Sequence, residues 1–267
     1  MLVSTPRGDA RIEVHEPRGK GKARALLALG HGAGGDVDAP DLTAVRDAAI
    51  AAGVAVALIT QPYRVAGRRA PAPAGQLDEA WLAALGHLPG LLPAALIQRP
   101  AKKTAPLAKH PAKKATASDA TASRSGAGGS GAGGSGAGGG AGSDAGAGGP
   151  GASVSVRLKV PLIVGGRSSG ARVACRTALA CGAAGVVNLA FPLHPPGKPE
   201  RSRDEELREC GVPALVVNGD SDPFGVPRSG PGVDLVIISG ARHDLRKDTA
   251  AVADAVVGWL RDHGWAA

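Results

Sequence analysis

Aromatic side chains are nearly missing from this 267-residue chain, where Phe, Trp and Tyr together make up 2%. Its core must therefore be assembled from Ala, Val, Leu and Ile. Hydrophobic residues at 43% supply an ordinary globular share for that purpose. Cysteine is also sparse. Cys175, Cys181 and Cys210 are odd in number and match no metal-ligand spacing, so reduced structural thiols and a cytoplasmic protein are expected. Long apolar runs are missing too. The longest, "AAIAAGVAVALIT", is too short to cross a bilayer and is broken by Gly53, so no membrane association is expected. The opening "MLVSTPRGDARIEVHE" carries charges throughout and no apolar stretch, so no secretory leader is expected. No Gly-Lys-Ser or Gly-Lys-Thr occurs, which excludes a P-loop.

What the chain has in excess is glycine and local positive charge. Residues 99–151 carry Arg99, Lys102, Lys103, Lys109, Lys113, Lys114 and Arg124 against Asp119 and Asp144, so five of the eight net positive charges sit there. Pro-Ala-Lys-Lys occurs at Pro100 and at Pro111, and "SGAGG" recurs from Ser125, Ser130 and Ser135. Neither composition can bury apolar surface, and a disordered insertion over 98–155 is expected. The lysine-rich half suits weak, sequence-independent contact with nucleic acid through phosphates, and a plain solvated spacer explains it as well.

On either side of that segment the pattern is regular. Strands are expected at "ARIEVHE", "ARALLALG", "VAVALIT", "VPLIVGG", "AGVVNLA", "VPALVVNG" and "VDLVIIS". Helices are expected at "PDLTAVRDAAIAAG", "AGQLDEAWLAALGHL", residues 169–181 and "DTAAVADAVVGWLRDHG". Apolar strands without alternation, separated by helices, indicate a mostly parallel sheet covered on both faces. This is one α/β domain in two parts, 1–97 and 156–267.

Four expected strand ends are polar, and in a parallel sheet reactive groups gather at those ends. "VGGRSSGAR" fits G-x-S-x-G at Gly166, Ser168 and Gly170, between a strand and a helix. That is the context of a nucleophile elbow, where small flanking residues let the backbone bend sharply and expose a serine Oγ. An ordinary serine N-cap reads the same way. "GHGAGG" satisfies G-x-G-x-x-G through Gly30, Gly32 and Gly35. Asp36, Asp38 and Pro40 interrupt the helix that a dinucleotide site needs, and the next strand ends in Thr60-Gln61-Pro62 without an acid. The other reading is a loop offering the Ala33 N–H, with that of Ser169, to an oxyanion, while His31 anchors the loop. "NGDSDPFG" supplies Asp220, suited to capping a turn, and Asp222, placed to orient a histidine. "ARHDL" supplies His243. His194 and His263 fit less well by order and position. Arg64, Arg68, Arg69 and Arg167 flank these ends, as selectors of an anionic substrate or as structural cations.

Ser168, Asp222 and His243 follow the chain order of α/β-hydrolase triads. With "LGHGAGGDVDAPDL", "QPYRVAGRRAPAPAGQLDEAW", "PLIVGGRSSGARVACRTA", "FPLHPPGKPERSR" and "NGDSDPFG", the chain resembles the Tex30/KANSL3-like α/β-hydrolase family, bacterial branch. The resemblance covers nearly everything outside the insertion, which departs from the family pattern. It implies an α/β-hydrolase fold without a large lid and a Ser-Asp-His triad at positions 168, 222 and 243. The expectation is then a serine hydrolase of an ester or similar acyl bond, with a small-molecule substrate and neither metal nor organic cofactor. The competing expectation is a catalytically silent scaffold serving as an interaction module.

Overall fold

The computed structural model describes residues 1–17, 22–97, 154 and 156–267. In chain order the strands are β1 (Leu2–Thr5), β2 (Gly8–His15), β3 (Leu26–Gly30), β4 (Ala55–Thr60), β5 (Leu162–Arg167), β6 (Gly185–Leu189), β7 (Ala214–Gly219) and β8 (Val233–Ile238). The helices are α1 (Pro40–Ala51), α2 (Pro62–Val65), α3 (Ala74–Leu91), α4 (Ser169–Thr177), α5 (Asp204–Arg208) and α6 (Thr249–Asp262). A short 3₁₀ turn, Arg246–Asp248, leads into α6.

The strands form one eight-stranded sheet in the order β1-β2-β4-β3-β5-β6-β7-β8. The β1/β2 and β2/β4 pairs are antiparallel and every other pair is parallel. Strands β3, β4, β6 and β7 are buried along their whole length, which is why they read as unbroken apolar runs. Alternate residues serve opposite faces. Leu26 and Ala28 pack with Trp81, Leu85 and Leu88 of α3 and with Ala171 and Ala174 of α4. Leu27 and Leu29 pack with Leu42 and Val45 of α1 and with Val252, Val256 and Leu260 of α6. The scarcity of aromatics holds throughout. Trp81 and Phe191 are the large rings fully buried in the core, Tyr63 and Trp259 are nearly so, and the remainder is mostly aliphatic.

The chain runs from β3 to β4 on one side and reaches β5 on the other side of β3. This change of direction opens a crevice between the loops leaving β3 and β5, where open parallel sheets place their ligands. Both of the polar segments with glycine patterns, "GHGAGG" and "GGRSSG", therefore end at the same crevice.

Three elements escape the sequence pattern: β1, α2 and α5. Strand β1 is a short edge paired with β2 alone, and the two helices have one to two turns each, too few for helical periodicity. Helix α3 runs past its expected end at Leu88 to Leu91, with Pro89 inside its last turn, where its missing N–H removes a single ladder bond. The regular part of α4 stops at Thr177, and Cys181 still donates its N–H to the Thr177 carbonyl (3.1 Å).

The expected insertion over 98–155 lies outside the described residues except for Val154. That residue belongs with the folded part, because its N–H donates to the Ala180 carbonyl (3.0 Å). The two flanks also meet, since Ile97 bridges Leu158 and the Lys159 N–H donates to the Leu96 carbonyl (2.8 Å).

Candidate active site

Strand β5 ends at Arg167 and α4 begins at Ser169, leaving Ser168 alone at the bend. Its backbone takes φ 54° and ψ −113°, a conformation that L-residues rarely adopt. The bend is held by a hydrogen bond from the Ser168 N–H to the Leu189 carbonyl (2.9 Å). It also needs its two glycines. A Cβ on Gly166 would lie 2.6 Å from the Gly30 carbonyl oxygen, and one on Gly170 would lie 2.7 Å from the Gly30 and His31 carbonyl oxygens. The helix start is thus pressed against the end of β3, and only hydrogen fits between. Ser168 does occupy the N-cap position of α4, yet its hydroxyl makes no capping bond. That Oγ lies 2.9 Å from His243 Nε2 instead. The plain N-cap reading is set aside by this geometry.

His243 arrives from the loop after β8. Its Nδ1 lies 2.8 Å from Asp222 Oδ2. A carboxylate accepts only, so Nδ1 carries the proton and donates it, leaving Nε2 as the acceptor for the Ser168 hydroxyl. The Asp222 side chain is fully buried and every contact it makes is a donor. Asn218 Nδ2 donates to Oδ2 (3.1 Å) and the Phe224 N–H donates to Oδ1 (2.8 Å). The Phe224 ring stacks on the imidazole with centroids 4.1 Å apart. Asp220, two residues earlier, is exposed and works on the turn. It accepts from the Gly240 N–H (2.8 Å) and from the Ser221 hydroxyl (3.0 Å), and these bonds, Gly240 first, hold its carboxyl below the usual range.

The loop after β3 lies alongside, with the space a Gly32 Cβ would fill 3.5 Å from Ser168 Cβ. His31 is buried beneath it. Its Nε2 accepts the Gln61 N–H (2.9 Å), so its Nδ1–H donates to the Gly32 carbonyl (2.8 Å), and the ring is neutral. Burial lowers its pKa accordingly. The Gly35 N–H also donates to the Gly32 carbonyl (3.2 Å), and the Tyr63 hydroxyl donates to the Ala33 carbonyl (2.8 Å). Because Gly32 C=O and Ala33 N–H belong to one planar peptide, pinning the carbonyl fixes the direction of the N–H. Among the described residues, the Ala33 and Ser169 N–H groups donate to no protein acceptor. His31 therefore anchors the loop and is bound on both ring nitrogens, away from proton transfer.

An α/β hydrolase domain family model matches residues 152–254. Solved structures match along almost the whole chain. A protein from Xanthomonas campestris, described as an α/β serine hydrolase without lid, aligns with TM-score 0.61 at 13% identity, covering 98% of this chain and 93% of that one. Est1E from Butyrivibrio proteoclasticus aligns with TM-score 0.58 at 13% identity over 98% and 97%. A dienelactone hydrolase from Anabaena variabilis aligns with TM-score 0.55 at 17% identity over 98% and 95%. No curated protein sequence matches significantly.

The chain has the α/β-hydrolase fold.

In this fold the stretch from β6 to β7 carries α5 and, among the described residues, no larger cap over the crevice. The remaining basic and imidazole side chains divide clearly. Arg167 is turned inward against Asp41, at 2.9 Å, and is no surface cation. Arg68 and Arg69 are exposed, and Arg64 spends an Nη1–H on the Arg68 carbonyl (3.2 Å). His194 has Nδ1 2.9 Å from the Pro195 carbonyl oxygen, and its backbone N–H donates to the Phe224 carbonyl (2.9 Å), so it braces the loop that carries Asp222. His263 packs between Trp259 and Trp265, remote from Ser168 in its contacts. Asn218, Phe224, Gln61 and Tyr63 support the site and were missed by sequence reasoning. Their contributions are hydrogen bonds and ring contacts across loops, for which a linear pattern holds no signal. The three cysteines are buried and free, and burial pushes the Cys181 thiol up to about 11 and that of Cys175 higher still.

Proposed function

We propose that the protein is a serine hydrolase that cleaves an ester or similar acyl bond of a small molecule. The observation that carries this reading is the continuous chain Ser168 Oγ, His243 Nε2, His243 Nδ1, Asp222 Oδ2, with contacts of 2.9 and 2.8 Å, on a strained elbow. Ser168 Oγ attacks the acyl carbon while His243 Nε2 takes its proton. Asp222 holds the imidazole in the Nδ1–H tautomer and stabilises the imidazolium. The N–H groups of Ala33 and Ser169 receive the developing oxyanion, each worth about 3 kcal/mol in such sites. His243 then returns the proton to the leaving alcohol oxygen. Water then attacks the acyl carbon as His243 Nε2 takes its proton, and that proton passes to Ser168 Oγ as the acid departs.

The quoted motifs favour the Tex30/KANSL3-like family within the superfamily. Three free thiols suit a reducing, cytoplasmic compartment. The lysine-rich part of 99–124 adds weak nucleic-acid contact through phosphates.

The test uses a fluorophosphonate probe together with p-nitrophenyl esters of graded acyl length. Wild type should label and turn over esters. Ser168→Ala should lose both with its fold intact, and Ser169→Ala, which keeps the backbone N–H, should retain most activity. Turnover by Ser168→Ala at the wild-type rate would overturn the assignment. A folded wild type that neither labels nor hydrolyses any ester would instead make the chain a silent scaffold.

A further inference from the structure

The residue before Ser168 reaches two loops and a helix at once. Arg167 is the last residue of β5, and its side chain runs toward the start of α1 rather than to solvent. Its Nε lies 2.9 Å from Asp41 Oδ2, and the Asp41 side chain is wholly buried in the first turn of α1. This contact is ionic rather than a directed hydrogen bond. The second arm of the fork, the Nη2–H, donates to the backbone carbonyl of His243 (3.1 Å). The third nitrogen, Nη1, lies against Gly32, 3.1 Å from where a Cβ would stand. One planar guanidinium thus touches the loop that carries Ala33, the helix that ends that loop, and the main chain of His243.

We propose that Arg167 is a positioning residue whose fork, seated on Asp41, sets the alignment of His243 with Ser168 and presses the Gly32–Ala33 loop against them. The proposal rests on the hydrolase reading. Three features support it. The His243 loop has no other side-chain donor on the His243 carbonyl among the described residues. Asp41 offers its remaining oxygen, Oδ1, to the Leu42 N–H (3.0 Å), so the carboxylate that seats the arginine is itself fixed to α1. A guanidinium can hold two directions at once through its rigid fork, whereas an ammonium is a point charge on a flexible stem. Arg167 also cannot serve as the selector of an anionic substrate, because its charge already faces a buried carboxylate.

Arg167→Lys is the diagnostic change. It keeps a cation for Asp41 but loses the reach to the His243 carbonyl. We expect an unchanged melting temperature and KM, with kcat and the rate of fluorophosphonate labelling of Ser168 falling together by about tenfold or more, as small misplacements do. The downfield proton resonance of His243 Nδ1–H should move or broaden in the same variant. A second variant, Arg167→Met with Asp41→Leu, removes the buried pair altogether. Replacing such pairs with apolar residues often leaves stability unharmed, so this protein should fold and be equally slow. Wild-type kcat, labelling and resonance in Arg167→Lys would overturn the proposal and leave Arg167 a stability element. A rise in KM with kcat unchanged would overturn it in favour of substrate contact. If the wild type itself neither labels nor turns over, the hydrolase reading fails, and the resonance, which needs no turnover, still decides whether Arg167 positions the ring.

Discussion

Asp220 and Asp222 share one loop and one chemical group, and their surroundings give them different work. Asp222 is enclosed by three donors, one of them His243 Nδ1–H, while Asp220 faces solvent and ties Gly240 and Ser221. Asp222→Asn should therefore lower kcat by about 10⁴, because an amide can offer N–H to Nδ1 and favour the wrong tautomer. Asp220→Asn should leave kcat near wild type and cost only a little thermal stability. Steady-state kinetics with one p-nitrophenyl ester, beside melting curves, separate the two. The reverse pattern would move the acid to Asp220.

Between elements, the arginines of α4 do a different job. Arg172 and Arg176 stand one turn apart on its outer side. Arg172 pairs with Glu206 of α5 through Nε (2.8 Å) and Nη2 (2.5 Å), while Arg176 reaches Glu206 (3.2 Å) and Asp78 of α3 (2.6 Å). These side chains join three helices on one face of the sheet. Burial raises the Glu206 pKa, but the hydrogen bonds and charges of Arg172 and Arg176 outweigh it and hold the carboxyl below its ordinary 4.5. A carboxylate with a depressed folded-state pKa stabilises the fold above its unfolded value, and that stability is lost as pH falls through the folded value. Glu206→Gln should thus cost about 2 kcal/mol near neutral pH, as for hydrogen bonds to charged groups. The gap between its melting curve and that of wild type should begin to narrow below pH 4.5 and close once the pH has passed below the depressed folded-state value. Melting both proteins across a pH series checks this, and a gap that persists in acid would contradict it.

For the whole molecule, the contacts at the flanks make a simple claim. Ile97 meets Leu158, and the Lys159 N–H meets the Leu96 carbonyl, so the chain leaves and returns at neighbouring points. A short linker can span them, and closure cost changes by only about 0.6 kcal/mol per doubling of loop length. Replacing 99–151 with a short Gly/Ser linker should leave melting temperature and ester turnover within twofold of wild type. Seven basic side chains are removed with that segment, and any duplex DNA binding should go with them. In the full chain that binding should weaken with salt at a slope no steeper than about −6. Parallel assays of both proteins across a salt series test this. Loss of turnover would make the segment part of the catalytic domain, and retained DNA binding would place the contact elsewhere.

Read by itself, the amino-acid sequence determined the class of fold and pointed to the strand ends where the candidate groups lie. Both are local or periodic properties. A strand buried on two faces must be apolar along its length, as Leu26–Gly30 and Ala55–Thr60 are, and a sharp strand-to-helix bend needs small residues on both sides of Ser168. What tertiary structure decided is which groups meet. Asp222 was already preferred over Asp220 in the sequence, but its enclosure by the Asn218 amide, the Phe224 N–H and the His243 ring exists only in the folded loops. The neutral, anchoring role of His31 depends on a donor from Gln61, thirty residues away. Arg167 reads in sequence as a cation beside a serine, and only the approach of α1 and the His243 loop turns it inward onto Asp41. Such pairings join residues far apart in the chain, and the free energy that selects them comes from burial and hydrogen-bond satisfaction, which exist only once the sheet has assembled.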